Sequence, residues 1–186
     1  DMTKNYLRGV PPFSTWDPKL TGEIPPAPTV EDVEAAVREM NELWDEIARL
    51  PVFEYVRRGE PIDTKREFPS DKHPNAVGHL LLRPIGQLIM AQAVHDLNMD
   101  QSVDAPQLEL ATIFDKLIAL DKKGGFDAAK PSSSFYGITY DPVRQRMIMD
   151  KKKRDLARDL IKYWVHGISG TLLDDLRERF RDARTF

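Results

Sequence analysis
The 186-residue chain contains no cysteine. Disulfides, thiolate metal sites and cysteine catalysis are thereby excluded, and the composition fits a reducing cytoplasm. Long apolar runs are missing as well. The best candidate, Gly78 to Ala93, is split by Arg83 and falls short of the roughly 20 uncharged residues that span a bilayer. No membrane partner is expected. Neither the HExxH zinc pattern nor the Gly-x-Ser-x-Gly elbow occurs, and His73, His79, His95 and His166 show no tight metal spacing. Gly124-Gly125 follows Lys122-Lys123 without the spacing of a Walker loop. The chain therefore carries no catalytic signature, no metal site and no pattern that names a cofactor. It opens on Asp1 rather than on methionine and reads as a fragment, so any activity is expected in a missing N-terminal part.

What is present is a globular composition, 41% apolar and 31% charged, long enough to bury a core. The net charge of −3 argues against a bulk polyanion binder, yet its distribution is uneven. Glu23 to Arg49 holds eight acids and two bases, a net −6; Arg144 to Lys162 holds eight bases and three acids, a net +5. Contact with nucleic acid should be local to the second region.

The patterning predicts a mainly α protein: a helical bundle with one small β-hairpin and an extended Pro-rich N-terminal arm. Residues 1–28 carry six prolines and form the arm or linker, with Tyr6, Phe13 and Trp16 as anchors onto a body. Residues 29–186 form the helical domain. Thr29 and Asp32 make a capping-box start. Val30, Val33, Val37, Met40, Trp44 and Ile47 then recur at steps of three and four, which predicts an amphipathic helix over 30–49. A short helix at 52–57 closes at Gly59, and 59–75 reads as loop. The apolar stretch predicts a helix or two half-helices to about Asn98, because an interior Pro84 would kink or end a helix at a cost of roughly 3 kcal/mol. Asp104 caps a helix over 105–120 that buries Leu108, Ala111, Phe114, Leu117 and Ile118, and 121–133 reads as loop. A hairpin lies near 135–149 around Asp141 to Gln145. A helix capped by Asp150 ends at Gly167, and a last one starts after Thr171 and buries Leu172, Leu173, Leu176 and Phe180. The Trp and Tyr residues fall mostly on core positions.

Two constellations could carry chemistry. Lys151, Arg154, Arg158 and Lys162 form one stripe of the basic helix, and Lys151, Lys152 and Lys153 crowd its N-terminus, where the dipole disfavours cations. A bound phosphate would reverse that sign, with Arg144 and Arg146 joining from upstream. The bland alternative is a solvated face neutralised by Asp155 and Asp159. The second constellation is His79 with Arg83, one turn apart if helical, forming an anion site or a structural salt bridge to an acid elsewhere.

Three pieces resemble a known family in order and spacing. They are Trp44-Asp45-Glu46-Ile47, then His79-Leu80-Leu81-Leu82-Arg83-Pro84-Ile85-Gly86, then Tyr140-Asp141-Pro142 through Arg146-Met147-Ile148 into the basic helix. Over about residues 30–180 they are similar to the C-terminal region of DGQHR-domain proteins, which are linked to bacterial DNA phosphorothioation and phage defence. The family's own Asp-Gly-Gln-His-Arg string lies in an N-terminal ParB-like domain and does not occur here, so no family active-site residue carries over. The resemblance implies a non-catalytic C-terminal region of a DNA-modification-associated protein, with DNA or other components of that system as partners. The alternative is an interaction or oligomerisation module, in which the acidic helix of one chain meets the basic helix of another. A free-standing enzyme would need a pocket gathering His79, Arg83 and an acid.

Overall fold
The computed structural model describes residues 29–70, 72–99, 108–148, 150–167 and 170–184. The arm expected at 1–28 and the cap expected at Asp104 lie outside them. Helix α1 (Val30–Ile47) begins with the expected reciprocal cap: Asp32 N–H donates to Thr29 Oγ1 at 3.1 Å, and Thr29 N–H donates to Asp32 Oδ2 at 2.9 Å. Pro51 starts a one-turn 3₁₀ helix over Pro51–Phe53, and α2 (Glu54–Arg58) closes at Gly59 with φ +67°. Arg49 pairs with Glu46 and with Asp115, clamping the end of α1 to the next long helix but one.

Pro84 does not sit inside a helix. His79 caps a 3₁₀ turn (Leu80–Leu82), Arg83 is extended, as a residue before proline prefers, and Pro84 is the first residue of α3 (Pro84–Met99). At that position its missing N–H has no intrahelical partner to lose, so the penalty of an interior proline does not arise. The turn folds back so closely that a Cβ on Gly86 would stand 2.0 Å from the Leu80 carbonyl oxygen. Helix α3 is apolar on nearly every side and becomes the central helix, with Ile85, Ile89, Met90, Ala91, Ala93, Val94 and Leu97 all buried.

Around it pack α4 (Leu110–Lys122) and, most extensively, α5 (Lys151–His166), with α6 (Gly170–Ala183) against α5. Two strands, β1 (Tyr140–Asp141) and β2 (Arg146–Met147), pair antiparallel with Tyr140 opposite Met147. The architecture is mainly α with one small hairpin.

Several local expectations need correction. The paired strands fill little of the hairpin expected over 135–149, because Phe135 to Thr139 turns inward: the Ile138 and Thr139 amides both donate to the Phe135 carbonyl, and Phe135 and Ile138 are fully buried. In α4 the buried face is Ile113, Phe114, Leu117 and Asp121, whereas Ala111 is exposed. In α6 Leu176 is buried but Leu172 is 65% exposed. The stretch 121–133 is not a plain surface loop, since it buries Phe126 and Ala128 through backbone pairing with 77–80.

Candidate functional sites
The expected phosphate surface divides in two. Arg144, Arg146, Lys151 and Lys152 are exposed around the hairpin and the start of α5. Arg144 there reaches Asp141 at 3.4 Å. The far half of the stripe, Arg158 and Lys162, turns onto acids of α3 and of its own helix. Lys162 Nζ lies 3.1 Å from Asp96 Oδ2 on α3, and Arg158 lies 3.4 Å from both Asp96 and Asp159. Asp159 also receives Arg179 of α6 at 2.9 Å. Arg154 Nε is buried with no hydrogen-bond partner among the described residues. Lys153 donates to the carbonyls of Gly137 and Ala183 at 2.8 and 3.2 Å. At the N-terminus the Asp150 carboxylate already accepts the Lys153 N–H at 3.0 Å, so a resident anion stands where a phosphate would. Half of the basic stripe is thus an electrostatic seam joining α3, α5 and α6.

His79 and Arg83 do not form a joint site. Arg83 is exposed, with its guanidinium 4.8 Å from the centre of the Phe68 ring, a cation–π contact that needs no anion. His79 is 1% exposed and belongs to a buried node that sequence spacing could not reveal. Its Nδ1 accepts the Leu81 N–H at 3.3 Å, which assigns the ring proton to Nε2, and Nε2 donates to Asp121 Oδ1 at 2.9 Å. Asp121, at the end of α4, also accepts the Val52 N–H at 3.1 Å and faces Arg66 at 3.7 Å. One carboxylate therefore ties together four segments. Both imidazole nitrogens are engaged, which makes His79 a structural lock rather than a base open to substrate.

A third surface lies along the amphipathic helix α1, whose apolar stripe is only partly buried. Val30 is 70%, Val37 52% and Trp44 50% exposed, and Val33 is also exposed. Met40 and Ile47 of the same stripe pack inward, beside Ala36 and Leu43 of a neighbouring face. The three-four stripe therefore runs along the edge of the bundle, part of it buried and part exposed. At its lower end it runs into an apolar pocket of about 170 Å³ lined by Trp44, Ile47, Phe53, Val56 and Met90. Ala36 and Leu43, both off the stripe, were the signal that α1 has a second apolar face.

The fold and these surfaces define a mainly α bundle with an apolar helix face that is exposed among the described residues. Comparison with known proteins returns no match: no family model, no curated protein and no solved structure is similar to the chain.

Proposed function
We propose that the chain is a helical interaction module that docks a cationic amphipathic helix of a partner protein along α1. The carrying observation is the exposed stripe Val30, Val33, Val37 and Trp44, which ends at a pocket large enough for one big apolar side chain. Its three-four spacing is that of a coiled-coil seam, and Met40 lies in the same row. Charge selects the occupant. Helix α1 holds seven acids against Arg38 alone, a net −6. A second copy of α1 would bring like charges together, whereas lysine or arginine flanks would be attracted.

Covering four half-exposed side chains supplies roughly 4–6 kcal/mol of transfer free energy, comparable to the low end of what association costs. The stripe alone therefore gives weak binding, and the acidic flanks have to add to it. A peptide about three heptads long, with leucine at a and d and lysine at e and g, is the probe. Calorimetric titration should give a Kd of roughly tens of micromolar, weakened at least about tenfold by Val33→Ser with Val37→Ser. Both valines are exposed, so the variant keeps its fold. If sedimentation instead shows a dimer that the same substitutions abolish, the occupant is a second copy. No peptide binding at millimolar concentration would sink the reading.

A second reading keeps the DNA-modification role, with phosphate contacted at the exposed corner of Arg144, Arg146, Lys151 and Lys152. Arg158 and Lys162 contribute little to it, because the fold pairs them with Asp96 and Asp159, and Arg154 Nε is buried. It expects duplex DNA binding with a log–log salt slope of about −0.9 per phosphate neutralised.

A further inference from the structure
A separate cavity of about 360 Å³ opens beside the Asp121 node, where the end of α4 meets the Thr64–Arg66 turn and Asp127. Five cations line it: Lys65, Arg66, Lys122, Lys123 and Lys130. Three acids do so too: Asp63, Asp121 and Asp127. The lining thus carries a net +2, in a chain whose total is −3.

The state of each group decides what the cavity can take. All three carboxylates are already occupied. Asp121 is held by His79 and the Val52 N–H, Asp127 by Lys130 at 3.1 Å, and Asp63 by the Lys65 N–H at 3.0 Å. Of the five cations, Lys130 is spent on Asp127, and the other four are less engaged. Lys65, Lys122 and Lys123 have no acid within salt-bridge distance among the described residues, and Arg66 stands 3.7 Å from Asp121, beyond a good hydrogen bond. Two lysines at the end of α4 also complement its dipole, but that accounts only for Lys122 and Lys123. It does not bring Lys65 and Arg66 to the same opening from another turn. That turn is fixed to the buried node by backbone bonds, Val77 N–H to Lys65 O at 2.8 Å and His79 N–H to Arg66 O at 2.9 Å. The unpaired charge of the cavity is mostly cationic, and the backbone of the Thr64–Arg66 turn is hydrogen-bonded to the body.

We infer that this cavity binds a multiply charged phosphate group, such as that of a small phosphorylated ligand, between Lys65 and Arg66 on one side and Lys122 and Lys123 on the other. The volume lies at the small end of ligand pockets, which suits a compact oxyanion ligand. The site is independent of α1 and of the helix-docking proposal.

Inorganic pyrophosphate is the probe, followed by amide and lysine side-chain NMR shifts of the full chain. Saturable shifts at Lys65, Lys123 and Gly124 are expected, weakening as NaCl is raised. Lys65→Gln with Lys123→Gln should raise Kd about tenfold, since two charge-assisted contacts are lost. Lys151→Gln with Lys152→Gln should leave Kd unchanged. Both pairs are exposed, so neither variant threatens the fold. Shifts that do not saturate, or that fall equally in both variants, would overturn the site. If duplex DNA but not pyrophosphate gives a Lys65- and Lys123-dependent response, the small-ligand proposal is wrong and the phosphate belongs to a nucleic-acid backbone.

Discussion
Replacing Asp121 by alanine is the sharpest test of how the bundle is held. The carboxylate is 1% exposed and accepts from His79 Nε2 and from the Val52 N–H. Its removal leaves two buried donors without partners, each costing about 1–3 kcal/mol, together with a small void. Arg66, one-third exposed, loses a facing charge but can turn to water, so it adds little. The expected loss is about 3–5 kcal/mol out of a total stability of roughly 5–15 kcal/mol, which corresponds to about 10 °C in Tm for a domain of this size. Asp121→Asn keeps one acceptor and should lose roughly half as much. Urea unfolding followed by circular dichroism measures both. A double-mutant cycle with His79→Ala isolates the pair and should return a coupling above about 1 kcal/mol. A loss below about 1 kcal/mol for Asp121→Ala, or no coupling to His79, would show that the node does not hold the four segments together.

Three further outcomes follow from the geometry. Gly86→Ala drives a Cβ to 2.0 Å from the Leu80 carbonyl oxygen and should destabilise by about 2–3 kcal/mol in thermal unfolding; a neutral result would mean that the turn before α3 packs less closely. Asp96→Asn removes the acid partner of Lys162, while Arg158 keeps Asp159, and should lower stability by about 1 kcal/mol; an unchanged Tm would make the seam incidental. Asp141 accepts the Arg144 and Val143 amides, and the Arg144 amide bond leads in holding its carboxyl below the usual carboxylate value. With a depressed folded value, the turn's contribution is present above the unfolded pKa near 4 and fades as pH falls through the folded one. Amide shifts of Val143 and Arg144 should titrate below pH 4, and a midpoint at or above it would contradict the turn geometry.

Much of the helical framework was legible because it is local. The Thr29–Asp32 cap, the Asp150 cap, the stops at Gly59 and Gly167 and the turn around Asp141 all act within a few residues. Pro84 shows the limit of that reasoning: its meaning depended on whether it stood inside a helix or began one, and the turn at Leu80–Leu82 decided that. The sites were less legible because they depend on distant partners. His79 and Asp121 are 42 residues apart, and no spacing rule joins them. The spacing of the basic residues shows a stripe on one helix, but the partner Asp96 lies 66 residues before Lys162, so local sequence cannot tell a seam from a free surface. The stripe of α1 failed in the opposite direction. Periodicity gives a helix an apolar face without saying whether the chain covers it.

Docking of a helix along the exposed face of α1 is the central proposal, and Trp44, half exposed on that face, reports on it directly. The protein would be labelled with 5-fluorotryptophan, and the Trp44 resonance assigned by Trp44→Phe. The lysine-flanked helical peptide would then be titrated against the full chain. The expected result is a saturable shift of Trp44 that Val33→Ser with Val37→Ser weakens, while Trp164, packed edge-on against Phe135, stays in place. A Trp44 resonance that does not move, or that moves equally in the variant, would contradict docking along α1.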